Sequence, residues 1–132
     1  VIIQSSSVVV GLVIILITQG VITLDSAIPI VVGANVGTTS TALLVSLKLS
    51  PLSKLTALSA STFNLVGVLL ILPFLNALER LVENVTANPA IQVALAFTIS
   101  NTVTSVFFLI FLNPTLRLLK KHKWYKEAGA SA

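Results

Sequence analysis

Apolar residues run almost without interruption over residues 8–17, 28–32, 43–47, 55–75 and 90–112, and the breaks between the first three stretches are polar with few charges. Residues 55–75 and 90–112 each supply the roughly twenty residues that a helix needs to cross a ~30 Å hydrocarbon core. Residues 28–47 have the same length, but Gly33 and Gly37 bracket Asn35 in the middle, with Thr38, Thr39, Ser40 and Thr41 behind them. Two glycines and a hydroxyl run favour local unwinding, so a broken transmembrane helix is expected there. Residues 8–18 are too short to cross, and together with residues 1–7 they predict a re-entrant hairpin over 1–19, ended by Gly20. Asp25 or Ser26 is expected to cap the next helix, with Pro29 in its tolerant first turn. Residues 76–89 put Glu79, Arg80 and Glu83 opposite Leu75, Leu78, Leu81 and Val82, the pattern of a helix lying along the membrane interface. Beyond Pro114, residues 117–132 read as a basic tail carrying Trp124 and Tyr125.

Two uncharged polar islands stand out from this pattern: Gln4, Ser5, Ser6 and Ser7, and the run from Gly33 to Thr41. Irregular backbone at membrane depth is tolerated only where it is buried in protein or lines a cavity, so each island is a candidate binding site. Helices starting after Ser7 and near Thr38 would aim free N–H groups at the midplane, where they attract an anion. The half-helices ending near Ile3 and Ala34 would offer carbonyls which, with the side-chain oxygens of Gln4, Ser5, Asn35 and Thr39, suit a hard cation such as Na⁺. The candidate contact set for anion and ion is therefore Gln4, Ser5, Ser6, Ser7, Asn35, Gly37, Thr38, Thr39, Ser40 and Thr41. Asn64 and Asn101 fall mid-span, where they either link helices or support those residues. Plainer readings stand beside these: the hydroxyls of 98–105 back-bond to the preceding turn, Gly33 and Gly37 have small-xxx-small packing spacing, and Gln4 to Ser7 join two helices. A phosphate-binding P-loop is rejected because no Lys precedes Thr38.

With 55% hydrophobic and 9% charged residues and a mean hydropathy of +1.04, the chain reads as an all-α integral membrane protein. No Cys and one His, His122 in the basic tail, leave little material for metal, redox or catalytic chemistry, so neither an enzyme nor an organic cofactor is expected. Its net charge of +4 does not point to nucleic acid, because the cations flank apolar spans. Lys48 and Lys54 are separated from the C-terminal cluster by two spans and so share a side, which the positive-inside rule makes cytoplasmic. Asn84, in an Asn-Val-Thr sequon, then faces outside, and the hairpin dips in from outside. The expected setting is a multi-pass protein of a plasma or inner membrane with a cytoplasmic C-terminus. The absence of an initiating Met, with an apolar run at once, suggests a trimmed chain or the later part of a longer one.

Gln4-Ser5-Ser6-Ser7, then Gly20-Val21-Ile22-Thr23-Leu24, then Gly33-Ala34-Asn35-Val36-Gly37-Thr38-Thr39, in that order and spacing, resemble one repeat of the type II sodium/phosphate cotransporter family, its second repeat in particular. The resemblance reaches to about Pro114. It implies a symporter built from two inverted repeats, each with a Q-S-S-S hairpin and a broken helix, moving inorganic phosphate inward with Na⁺. This chain would be one half, its partner an upstream homologous repeat or a second chain. Where the family commonly has a His before a Phe-Asn pair, this chain has Ala60 and Ser61 before Phe63-Asn64, and Asn101 after Phe97 takes the corresponding place in the last span. Rival readings are a Na⁺-coupled carrier of another small oxyanion or a dicarboxylate, and a non-transporting sensor or anchor subunit.

Overall fold

The computed structural model describes the backbone of residues 5–121 and the side chains of 5–50 and 53–110. All regular structure among them is helical: α1 (Ser6–Thr18), α2 (Leu24–Ser46), α3 (Pro51–Ile71), a single 3₁₀ turn (Leu72–Phe74), α4 (Leu75–Val85) and α5 (Pro89–Lys121). Three stretches, Leu24–Ser46, Ser53–Val85 and Pro89–Ile110, are long and apolar enough to cross a membrane. The all-helical, membrane-spanning fold class stands. Gln4 and residues 122–132, which include most of the expected tail, lie outside the described residues.

Helix ends follow local chemistry. At the end of α1, Gly20 takes φ 69°, its N–H bonds Ile17 O at 3.1 Å and the Val21 N–H bonds Leu16 O at 2.9 Å. That pair of bonds is a Schellman stop, which a left-handed glycine admits at little cost. Thr23, rather than Asp25 or Ser26, is the N-cap of α2, and Asp25 falls in the first turn, where the helix dipole favours a carboxylate. Pro51 opens α3 behind Ser50, whose Oγ accepts the Ser53 N–H at 3.3 Å. Asn88 does the same for α5, its Oδ1 accepting from Ala90 N at 3.0 Å and Ile91 N at 3.4 Å. Pro114 does not end α5, which continues to Lys121 beyond the expected limit at 112.

The expected break in α2 is absent. The helix runs from Leu24 to Ser46 straight through Gly33 and Gly37. The hydroxyls that could have recapped an unwound segment bond back along the helix instead: Thr38 to Ala34 O (3.2 Å), Thr39 to Asn35 O (3.1 Å) and Ser40 to Val36 O (2.8 Å). Back-bonding of this kind keeps the hydroxyls satisfied without opening the helix.

Two apolar clusters hold the bundle. Val13 and Ile17 of α1 pack with Ala27 and Val31 of α2 and Val93 of α5, with Val9, Val10 and Phe97 on the margin. Ile28 and Val32 of α2, Ile71 of α3, Leu78 and Val82 of α4, and Ala96 of α5 form the other. α4 thus seats its apolar face on the helix bundle, while Asn76, Arg80 and Glu83 stay exposed. The turn at 19–23, α4 and the α4–α5 link share one end, and the α2–α3 link with Lys48 and Lys54 occupies the other.

α3 and α5 are antiparallel and close. Phe63 and Phe108 have ring centroids 3.9 Å apart, and four residues along each helix buried Gly67 faces buried Thr104. A Cβ on Gly67 would meet Thr104 Cγ2 at 2.3 Å. Thr is short and β-branched, so the helices would have to part, and Gly67→Ala is expected to destabilise the fold by about 1–3 kcal/mol. Thermal unfolding in detergent checks this: Thr104→Ala should restore much of the loss in the double variant, and simple additivity of the two substitutions would contradict the close approach.

Candidate functional site

At mid-depth, where most facing side chains are apolar, one residue of α2 joins three helices. Asn35 Nδ2 donates to Asn101 Oδ1 of α5 at 2.5 Å, and the Asn35 carbonyl accepts from Asn64 Nδ2 of α3 at 3.3 Å and from the Thr39 hydroxyl at 3.1 Å. Asn101 Nδ2 in turn donates to Phe97 O at 2.9 Å. All three asparagines are half-buried, and their neighbours Val32, Gly67, Val68, Ser100 and Thr104 line a void of only about 10 Å³ between them. In low-dielectric surroundings a satisfied polar chain of this kind fixes helix register, and an unsatisfied member would be costly.

The register of α1 brings the first island to the same depth. Val13 and Ile17 pack against Ala27, Val31 and Val93, and the antiparallel run back to the start of α1 carries Ser5 and Ser6 level with the turn around Gly37 and with Asn101. Ser5 is the N-cap but makes no side-chain capping bond; its carbonyl takes the Val8 and Val9 N–H groups at 3.1 and 3.2 Å, so of the first turn the Ser6 and Ser7 N–H groups are the ones that could meet an outside acceptor. No acidic side chain occupies that first turn. The positive end of the α1 dipole is therefore uncompensated by this helix.

Of the sequence-derived set, Ser5, Ser6, Asn35, Gly37, Thr38, Thr39, Ser40 and Thr41 are all half-buried, and those from Asn35 to Thr41 follow one another along about 9 Å of α2. Ser7 points outward and is exposed. Gln4 lies outside the described residues. A second helix N-terminus near Thr38 does not exist, because α2 is continuous there. Thr41 Oγ1 is buried and has no hydrogen-bond partner. Thr98, Ser100 and Thr102 bond Ala94 O, Ala96 O and Thr98 O at 2.7–2.8 Å, which is the plain back-bonding reading of that span. Sequence reasoning missed the Gly67–Thr104 approach, although a lone glycine in a long apolar helix was its signal. Among the described residues no three of His, Cys, Asp and Glu come together, so any cation here would meet neutral oxygens.

Comparison with known proteins matches residues 1–74 to the model of a family described as Na+/Pi-cotransporter. An uncharacterised Bacillus subtilis protein, YqeW, is 37% identical over 118 residues, which cover 89% of this chain and 38% of the relative. Human sodium-dependent phosphate transport protein 2C is 46% identical over 71 residues, 51% of this chain and 12% of that protein. Rat sodium-dependent phosphate transport protein 2A is 43% identical over 77 residues, 54% of this chain and 12% of that protein. The chain thus spans well under half the length of these relatives. No solved structure matches it.

Proposed function

The chain belongs to the Na+/Pi-cotransporter family, and from that premise we propose that it forms one half of the core of a sodium-coupled symporter for inorganic phosphate. Family membership points to sodium–phosphate cotransport, and the observation that supports a site in this chain is the meeting at one depth of the uncapped α1 N-terminus and the Asn35 node. The Ser6 and Ser7 N–H groups of α1, with the hydroxyls of Ser5 and Ser6, hold the anion by dipole and hydrogen bonds, since no cationic side chain is near enough in sequence to do so. Na⁺ sits with oxygens of Asn35 and Thr39, and with Gln4 and Ser5 on the facing island. Binding of both ions frees the back-bonded hydroxyls of Thr38 and Thr39 from their helix carbonyls, which couples the two ligands through the conformation of α2. A homologous repeat of inverted topology completes the enclosure, and alternating access moves the pair.

Ser6→Ala and Thr39→Ala are each expected to weaken the apparent affinities for phosphate and sodium together, by roughly tenfold to a hundredfold, the cost of an underbound partner in a buried site. Labelled-phosphate uptake at varied sodium concentration reads both. Unchanged affinities in the two variants would place the site elsewhere.

The bilayer orientation follows from charge. Lys48 and Lys54 lie at the end opposite Asn84, so the positive-inside rule puts the α2–α3 link and the C-terminus in the cytoplasm. Lys54→Cys should resist an impermeant thiol reagent in intact cells and Asn84→Cys should react. The reverse pattern overturns the orientation.

A further inference from the structure

A groove of about 810 Å³ runs between α2 and α3, lined from one end to the other by Leu49 and Ser53, then Ser46, Thr56 and Ala57, then Thr41, Ala60 and Thr38. Four features of it belong together. First, its length: Thr38 to Ser46 is about 12 Å of α2, and with the turn out to Leu49 the groove reaches from the α2–α3 link toward mid-depth. Second, its lining: five hydroxyl residues lie among alanines, no aromatic side chain enters it, and Val45 and Leu49 are its branched aliphatics. Third, Thr41 near its inner end keeps its Oγ1 buried in the wall and without a hydrogen-bond partner among the described residues. A hydroxyl left unbonded in a dry helix contact is costly, whereas one beside water or a passing oxyanion is not. Fourth, Lys48 and Lys54, both exposed, are the chain neighbours of its outer lining residues Leu49 and Ser53, with no acidic residue between positions 26 and 78 to offset them.

We propose that this α2–α3 groove is a water-filled vestibule joining the Lys48–Lys54 end of the molecule to the mid-depth site, and that it conducts a small hydrated oxyanion between the two. The inference rests on the reading of the chain as an anion carrier. Lys48 and Lys54 concentrate the anion at the mouth through a field that salt screens within about 10 Å. The hydroxyls of Ser53, Thr56 and Thr41 then replace part of its hydration shell in sequence along the path. The small residues Ala42, Ala57 and Ala60 keep the path wide enough for an ion that retains water.

Single cysteines test this directly, because this chain contributes none of its own. In the full-length membrane-embedded protein, Ala57→Cys and Ala60→Cys are compared with Leu58→Cys and Leu65→Cys, which replace exposed aliphatic residues of the same helix. A charged, membrane-impermeant methanethiosulfonate is applied to inside-out vesicles, and the mass shift of the protein is followed. Cysteines that line water ionise and react, while cysteines that face lipid stay protonated, so the first pair should react at least about tenfold faster than the second. Raising the salt from low to high concentration should also slow an anionic reagent at Ala57→Cys more than a neutral one, and Lys54→Gln should remove that difference.

Equal, slow reaction of both pairs would show the groove filled by lipid or by another helix and would overturn the proposal. Reaction only from the opposite membrane face would overturn it too. The mass readout does not depend on what is carried, so a protein that fails to transport phosphate yet labels in this pattern keeps the vestibule and loses the phosphate reading. A protein that transports phosphate without this pattern loses the vestibule alone.

Discussion

Asn35→Ala is expected to raise the sodium concentration for half-maximal phosphate uptake by about ten- to a hundredfold, the equivalent of leaving one half-buried polar group without its partner. The side chain of Asn35 is the donor that satisfies Asn101 Oδ1, while its own carbonyl holds Asn64 and Thr39. Removing it both strands the Asn101 oxygen and takes away an oxygen proposed to ligate the cation. A double-mutant cycle separates structure from function. Asn35→Ala and Asn101→Ala share one bond, so their effects should fall short of additivity by about 0.5–3 kcal/mol. Thr98→Ala serves as the control, because its exposed hydroxyl only bonds Ala94 O one turn back on its own helix. If Asn35→Ala lowers the melting temperature while sodium dependence is untouched, the asparagine node is helix-to-helix support and no more.

The helices themselves were legible because their signals are local and redundant. Apolar length marked three spans and Gly20 marked the end of α1, whereas α3 begins at Pro51, four residues before the expected start of its span at 55. The state of α2 was not legible, since Gly33, Gly37 and four hydroxyls are compatible with an unwound segment and with a continuous helix. What decides is where the hydroxyls bond, and Thr38, Thr39 and Ser40 bond within the helix. The difference between these arrangements is a handful of hydrogen bonds, about the scale on which bound ions shift a conformational equilibrium. Asn64 and Asn101 were legible as polar residues at mid-span, but their convergence on Asn35 was not, because separations of 29 and 66 residues carry no local signal. The Gly67–Thr104 approach likewise exists only once two helices meet.

Purified residues 1–132 reconstituted alone into liposomes are expected to show no sodium-driven phosphate uptake. α1 has thirteen residues, about 20 Å of helix, and its N-terminus therefore stops near mid-depth with no cap from the Ser5 side chain. Backbone N–H groups at that level must meet protein or water, for lipid cannot satisfy them. The other described residues do not enclose them: between 11% and 22% of the most apolar stretch of each span is buried, and on α1 Val8, Leu12 and Ile15 remain 57%, 44% and 52% exposed. An anion held there by this chain alone would face hydrocarbon or bulk water on the open side, and a phosphate in hydrocarbon is prohibitively costly. An inverted repeat would close that side, as in transporters whose two halves each bring a discontinuous element to the midplane. Lys48, Lys54 and the C-terminal basic cluster all favour one insertion direction, so two copies of this chain in opposite orientations are disfavoured and a homologous repeat in the same polypeptide is the expected partner. The uptake assay is therefore run with protease protection of the C-terminal tail to score orientation. Sodium-driven uptake by the 132-residue chain inserted in a single orientation would show that one repeat suffices, and the half-transporter reading would fall.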